Sequence, residues 1–222
     1  MADTKLSALG ALTGADSASG DLFYVDDISA TTSKSITRAE LAIGMNATQA
    51  EVDAGTATNK LLPPSLNKIS QLTLVATTSG TSHDFTIVAG TRLVEVMING
   101  VSTNGTSPLL VQLGDSGGIE TTGYQSRADR DGASGSSTAG FILNDVSNAS
   151  SAYYGKLSLS LLDAATFAWV GEGHMIDNAA QNSSWGFGGG KATSAATTTV
   201  RITTVNGSDT FDAGSVNVNY IK

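Results

Sequence analysis

LVEVMI, residues 93–98, decides the class of fold. Leu93, Glu95 and Met97 alternate with Val94, Val96 and Ile98, so apolar side chains fall on nearly both faces of an extended chain. Successive strand side chains point to opposite faces. A run apolar on both therefore predicts a central strand. The same period of two recurs outward from it. Leu157, Leu159 and Leu161 alternate with Lys156, Ser158 and Ser160, predicting a half-exposed strand. Val200 and Ile202 are set among Thr199, Arg201 and Thr203, and Val216, Val218 and Tyr220 between Asn217 and Asn219. Phe167 and Trp169 sit one strand step apart. Turn signals punctuate these runs at Asn99-Gly100, Asn104-Gly105, Asp115 to Gly118, Asp131-Gly132, Asn206-Gly207 and Asp212 to Gly214. Roughly nine to eleven short strands over residues 72–222 predict a mainly β fold, a jelly-roll-like β-sandwich.

The preceding residues read differently. Residues 1–45 predict an extended arm with short ordered pieces. Leu6, Leu9 and Leu12 allow one helical turn, and Leu22 to Val25 a short strand stopped by Asp26 and Asp27. Thr37-Arg38-Ala39-Glu40 fits a capping box opening a brief helix to about Met45. Thr48-Gln49-Ala50-Glu51 repeats the pattern, with a stop at Gly55. Pro63-Pro64 interrupts any helix, and residues 65–72 predict one more turn. Residues 46–71 are thus expected to form a short helical neck with too few apolar side chains for a core of its own. It is expected to wrap other subunits or to bundle with copies of itself.

Composition narrows the function classes. The 222 residues are 40% hydrophobic, enough for a real core, but only 14% charged. Ser, Thr, Asn and Gly take the place of charge, which suits turns and neutral outer strand faces. A net charge of −8 without any Lys or Arg run argues against nucleic acid and anionic membrane as partners. There is no cysteine, which removes disulfides, thiolate nucleophiles and Cys-based zinc sites. No apolar stretch reaches the ~18 residues of a membrane span. Asp3, Asp16 and Asp21 interrupt residues 1–25, so no secretory signal is expected.

ATQAEVDAGTATNKLLPPSL, residues 47–66, resembles a block in tail-fibre and other fibre-like virion proteins of tailed bacteriophages. Residues 4–43, from TKLSALGALTG to ITRAELAI, resemble the segment by which many such proteins attach to the particle. TRLVEVMINGVSTNGTSPLLVQLGDSGGIETTGY, residues 91–124, resembles a module of phage fibre proteins. The resemblance implies a virion location, attachment of residues 1–45 to a tail adaptor or to the capsid, and a homotrimer with β-sandwich heads. It implies a tail fibre or spike adhering to the host surface, with a head fibre or capsid decoration as the alternative.

Four constellations suggest chemistry. Gly114-Asp115-Ser116-Gly117-Gly118 spells the surroundings of a trypsin-like nucleophilic serine. That chemistry needs a histidine base and an acid behind it. His83 stands only about thirty residues ahead, which leaves no room for a first barrel, so a Gly-rich hairpin turn is expected. GFGGGK, residues 186–191, lacks the first Gly and the final Ser or Thr of a phosphate loop, with Trp185 and Ala192 in those places. Asp129 and Asp131 flank Arg130 without the full calcium-loop pattern. Glu172, His174 and Asp177 lack further ligands for a divalent ion. No metal and no cofactor is expected. No spacing singles out the facing carboxylate pair of a glycosidase, and an enzyme acting on the host envelope remains a second alternative.

The expected activity is binding. Residues 123–140 read as a long polar segment between strands. Tyr124, Gln125, Arg127, Asp129, Arg130 and Asp131, with Trp185, form the candidate ligand-binding set for a host cell-surface glycan. Aromatic rings stack on sugar faces, and amides, carboxylates and guanidinium groups pair with hydroxyls. Tyr153 and Tyr154 are further candidate stacking surfaces.

Overall fold

The computed structural model describes residues 22–25, 34–37, 51, 69–178 and 182–222. The chain divides into two compact units, residues 1–67 and 68–222. In the first, β1 (Leu22–Val25) pairs antiparallel with β2 (Lys34–Thr37), Leu22 opposite Thr37 and Val25 opposite Lys34. The strand expected at Leu22 is therefore present. The turn at Leu6 to Leu12, the helix after Thr37 and most of the neck lie outside the described residues. Glu51 is described, with helical backbone.

The second unit is almost wholly antiparallel β. Its strands are β3 (Ser70–Gln71), β4 (Val75–Ala76), β5 (Ser82–Thr86), β6 (Leu93–Thr103), β7 (Leu109–Asp115), β8 (Gly118–Ile119) and β9 (Gln125–Arg130). They continue as β10 (Ala133–Ser137), β11 (Phe141–Ile142), β12 (Tyr153–Asp163), β13 (Ala168–Asp177), β14 (Ser184–Ala192), β15 (Thr199–Thr204) and β16 (Phe211–Ile221). A nine-stranded sheet runs β10-β9-β14-β13-β12-β6-β16-β3, with β4 also on β16. A five-stranded sheet runs β11-β7-β15-β5, with β8 on β7. The chain passes repeatedly between the two, as in a jelly roll. One apolar core joins both sheets: Val94, Val96, Leu157, Leu159 and Val218 from one, Phe85, Leu109, Val111, Leu113 and Ile202 from the other.

The run that predicted a central strand is one: β6 lies between β12 and β16. Val94, Val96 and Ile98 are buried, and Leu93, Glu95 and Met97 are half-buried on the other face. β12 alternates as expected, with Leu157 and Leu159 buried and Lys156 and Ser160 exposed.

Three local features depart from expectation, each for a physical reason. The one more turn expected over residues 65–72 does not form at its end. Ser70 and Gln71 instead pair with Tyr220 and Asn219, and the Leu72 N–H donates to the Val218 carbonyl at 2.9 Å. The open edge of β16 satisfies those backbone groups as strand. Asn99-Gly100 is not a hairpin turn but a bulge inside β6. Tyr153 faces Val101 and Tyr154 faces Asn99, leaving Gly100 as the extra residue, at φ 66°. Phe167 is not in β13. It ends the β12–β13 turn at φ 53°, a left-handed conformation that costs a non-glycine residue about 1–3 kcal/mol.

Candidate binding face

Residues 123–140 form a tight hairpin rather than a loop. β9 and β10 pair with Arg130 opposite Ala133, so Asp131 and Gly132 alone make the turn. Both have positive φ, 31° and 85°, the geometry of a type I′ turn. Asp-Gly is the favoured sequence for it, and the dipeptide was legible as a turn. The flanking Gln-Ser-Arg-Ala-Asp-Arg was not, because its inner side chains include only one apolar residue, Ala128.

Alternation along β9 divides the candidate residues. Gln125, Arg127 and Asp129 are exposed, while Ser126 and Ala128 are buried and Arg130 is half-buried on their side. Arg127 Nε donates to Asp129 Oδ1 at 2.8 Å, an exposed pair worth no more than about 1 kcal/mol. Next to this row runs β14, with Gly190, Gly188 and Gly186 opposite Gln125, Arg127 and Asp129. On the far side of those glycines, Glu172 and His174 of β13 are opposite Gly188 and Gly186. Lys156, opposite His174, donates to Glu95 at 2.6 Å. The outward face thus has a strip of bare backbone bordered mostly by polar side chains, with the exposed Val170 opposite Gly190. A hollow of about 220 Å³ adjoins it at the hairpin, lined by Arg127, Asp129, Arg130, Asp131, Gly132 and Ala133. These groups donate and accept hydrogen bonds without concentrating one sign of charge, a chemistry that suits hydroxyl-rich ligands.

The other candidates are structural. Trp185 is fully buried. Its Nε1 donates to Asp145 Oδ1 at 2.7 Å, its ring meets Tyr153 edge-on at 5.8 Å, and the Arg130 guanidinium lies 5.6 Å from its centre. Arg130 is drawn inward by an ion pair with Asp145 at 2.9 Å. Tyr124 and Tyr153 are fully buried as well. The Tyr124 hydroxyl accepts the Leu113 N–H at 2.7 Å and donates to the Glu120 carbonyl at 3.1 Å. Burial pushes its acidity well below that of a free phenol. None of these three rings can stack on a sugar, because each fills the core between the sheets. Tyr154 is half-buried on the outward side, with its hydroxyl 3.4 Å from Asn178 Nδ2.

The two Gly-rich motifs are explained by packing. Ser116 and Gly117 are the tip of the β7–β8 hairpin, since Asp115 faces Gly118. Asp115 accepts the Gly117 N–H at 2.7 Å and the Ser194 hydroxyl at 2.5 Å, and these bonds hold its carboxyl below the usual range. Along β15, Gly114 is level with Thr199 and His83 with Ile202. They flank opposite edges of that strand and are offset by about 10 Å along it, so no serine–histidine pair forms. In β14, Lys191 turns inward, nearly buried, to pair with Glu120 and to donate to the Thr122 carbonyl at 3.0 Å. Asp177 is buried, bound by Ser151 at 2.7 Å, whereas Glu172 and His174 face outward. Among the described residues, no group of three or more His, Cys, Asp or Glu is placed to hold a metal ion. No helix among the described residues is long and apolar enough to cross a membrane.

The molecule is thus defined as a mainly β protein, a sandwich of antiparallel sheets with a polar outward face. No known protein family, curated protein or solved structure matches the chain.

Proposed function

We propose that this chain is a structural virion protein of a tailed phage, a trimeric tail fibre or spike whose β-sandwich head adheres to glycans of the host surface. The reading gives residues 1–45 the task of attachment to the particle and residues 46–71 that of a three-fold neck. The head binds and does not catalyse. Adhesion is multivalent, with weak contacts at single heads multiplied over many copies.

The observation that carries the reading is the exposed row Gln125, Arg127 and Asp129 beside the bare backbone of Gly186, Gly188 and Gly190. The row offers amide, guanidinium and carboxylate groups along a path that no intervening side chain obstructs. Resemblance of residues 4–43, 47–66 and 91–124 to phage fibre proteins supports the virion location. The test is a cryo-EM reconstruction of the particle carrying the chain. The reading expects residues 1–45 against a tail adaptor, with three heads outward. Density against the capsid would make the chain a head fibre or decoration protein, and its absence from the particle would end the reading.

A further inference from the structure

The outer face of the five-stranded sheet carries a polar constellation of its own. Gln112, Arg201 and Asp84 lie level with one another on β7, β15 and β5, and Leu110, Thr203 and Ser82 form the next row. These side chains take the face opposite Val111, Leu113, Ile202 and Phe85, which fill the core. Facing neighbours on adjacent strands stand about 5 Å apart at Cβ. Around them rise the β8–β9 connection at Thr121, the β10–β11 connection at Ala139 and the β15–β16 connection from Val205 to Gly207. The hollow between them measures about 320 Å³, at the lower end of the ~300–1,000 Å³ of small-ligand sites.

Two groups in this hollow are held in place and still have hydrogen bonds to make. Gln112 is 6% exposed, and its Nε2 donates to the Ala139 carbonyl at 2.9 Å. Its Oε1 accepts nothing from the described residues, and it is not one of the enclosed atoms without a partner, so it opens onto the hollow that Gln112 lines. Arg201 is held in one plane by Asp84, which accepts its Nε–H at 2.6 Å and an Nη2 proton at 2.7 Å. A guanidinium carries five N–H groups in a fixed fork. The other edge of this one, Nη1 with the second Nη2 proton, donates to nothing among the described residues, and the side chain is 31% exposed.

These two groups select the ligand. Arg201 gives protons and Gln112 Oε1 takes one, on neighbouring strands. A ligand reaching both must accept at one point and donate at the next. An anion only accepts, and Asp84 already neutralises the guanidinium. An ammonium group only donates. Adjacent hydroxyls do both. Leu110, Ala139 and Val205 add apolar surface for the C–H groups between them. We propose that this hollow binds a neutral sugar residue through neighbouring hydroxyls, which accept from the free edge of Arg201 and donate to Gln112 Oε1. It lies on the sheet that does not carry Gln125, Arg127 and Asp129, so each head has two separate glycan contacts. The hydroxyl requirement comes from the hollow alone; the choice of a sugar as its bearer rests on the adhesion reading.

The full chain, labelled with ¹⁵N, is titrated separately with glucose, galactose, mannose and inorganic phosphate at millimolar concentration. The side-chain signals of Gln112 Nε2 and Arg201 Nε are expected to move saturably with at least one of the three hexoses, and to stay in place with phosphate. Gln112→Leu removes the acceptor. It should weaken binding of that hexose about tenfold, read from the Arg201 signal. Arg201→Lys keeps a cation opposite Asp84 and removes the fork. It should weaken binding by a similar factor, read from the Gln112 signal, and its partly exposed position keeps the test open if Gln112→Leu does not fold. Silence to all three hexoses, an equal response to phosphate, or an affinity unchanged in Arg201→Lys would each overturn the assignment. If the chain fails to adsorb to host cells while both signals respond as expected, the adhesion reading falls and the hollow stands. If it adsorbs while the signals are silent, the hollow falls alone.

Discussion

The two tryptophans of this chain are both buried in the same sheet, sixteen residues apart, and their surroundings differ. Trp185 has every polar need met: Asp145 takes its N–H, Arg130 covers its face and Tyr153 abuts its edge. Trp169 sits at the sandwich end with its N–H unpaired and an open cavity beside it. Burial alone therefore does not tell an aromatic whose polar tip is satisfied from one whose polar tip is not. What separates them is whether the polar tip has a partner and whether the space around the ring is filled.

Substitutions can break or sharpen this contrast. Trp185→Ala has the largest expected effect. It opens a cavity and strands Asp145 and Arg130, and should lower the urea-unfolding free energy by about 3–5 kcal/mol. Lys191→Met comes next. It leaves Glu120 half-enclosed without its cation, and a loss of about 3 kcal/mol is expected in the same unfolding experiment. Trp169→Phe should shift stability by less than about 1 kcal/mol, since it removes an N–H that already lacks a partner. If it proves as costly as Trp185→Ala, the two tryptophans do not differ as described.

The turn that presents Phe167 adds a dependence on pH. The Thr166 hydroxyl, and after it the Ala165 N–H, hold the Asp163 carboxyl below its ordinary value of 3.8. A carboxyl depressed in the fold stabilises above its unfolded value, and that contribution disappears as pH falls through the lower folded value. Asp163→Asn should therefore flatten stability against pH below about 4 and leave the neutral range almost level. A profile unchanged by the substitution would show that the turn does not depend on this carboxylate. Smallest of all is Gly186→Ala on the outward strip. A methyl there meets nothing within 4 Å, whereas at Gly189, on the inner face of the same strand, it would lie 2.3 Å from the Gln125 carbonyl. Thermal unfolding should register a change within about 0.5 kcal/mol for Gly186→Ala and a severe loss for Gly189→Ala.

Much of the fold was legible because period two reports burial directly. The runs at Leu93, Leu157, Val200 and Val216 all became strands with the expected inner residues. β9 and the second half of β14 were not legible. Their inner positions carry Ser126, Ala128, Gly189 and Lys191, so alternation of hydrophobicity is weak there, whereas Trp185 and Phe187 alternate with Gly186 and Gly188 in the first half of β14. The candidate site was half legible. Gln125, Arg127 and Asp129 face outward, but whether an aromatic ring points in or out depends on register. One residue's slip exchanges the faces, and a lone Tyr124 carries no mark of which it takes, whereas Phe187 one strand step on marks the inner face for Trp185. The pair Phe167 and Trp169 was visible as a spacing. The cavity between them required the β5–β6, β12–β13 and β14–β15 connections to converge.

Adhesion is the central claim, and adsorption of the purified full chain to cells of the host strain tests it most directly. The account predicts saturable binding that competes with the intact particle and falls at least about tenfold in the Arg127→Ala/Asp129→Ala variant, with stability changed by under about 1 kcal/mol. Binding unchanged in that variant would place the contact elsewhere on the head. No binding by the folded, unaltered chain would contradict the claim itself.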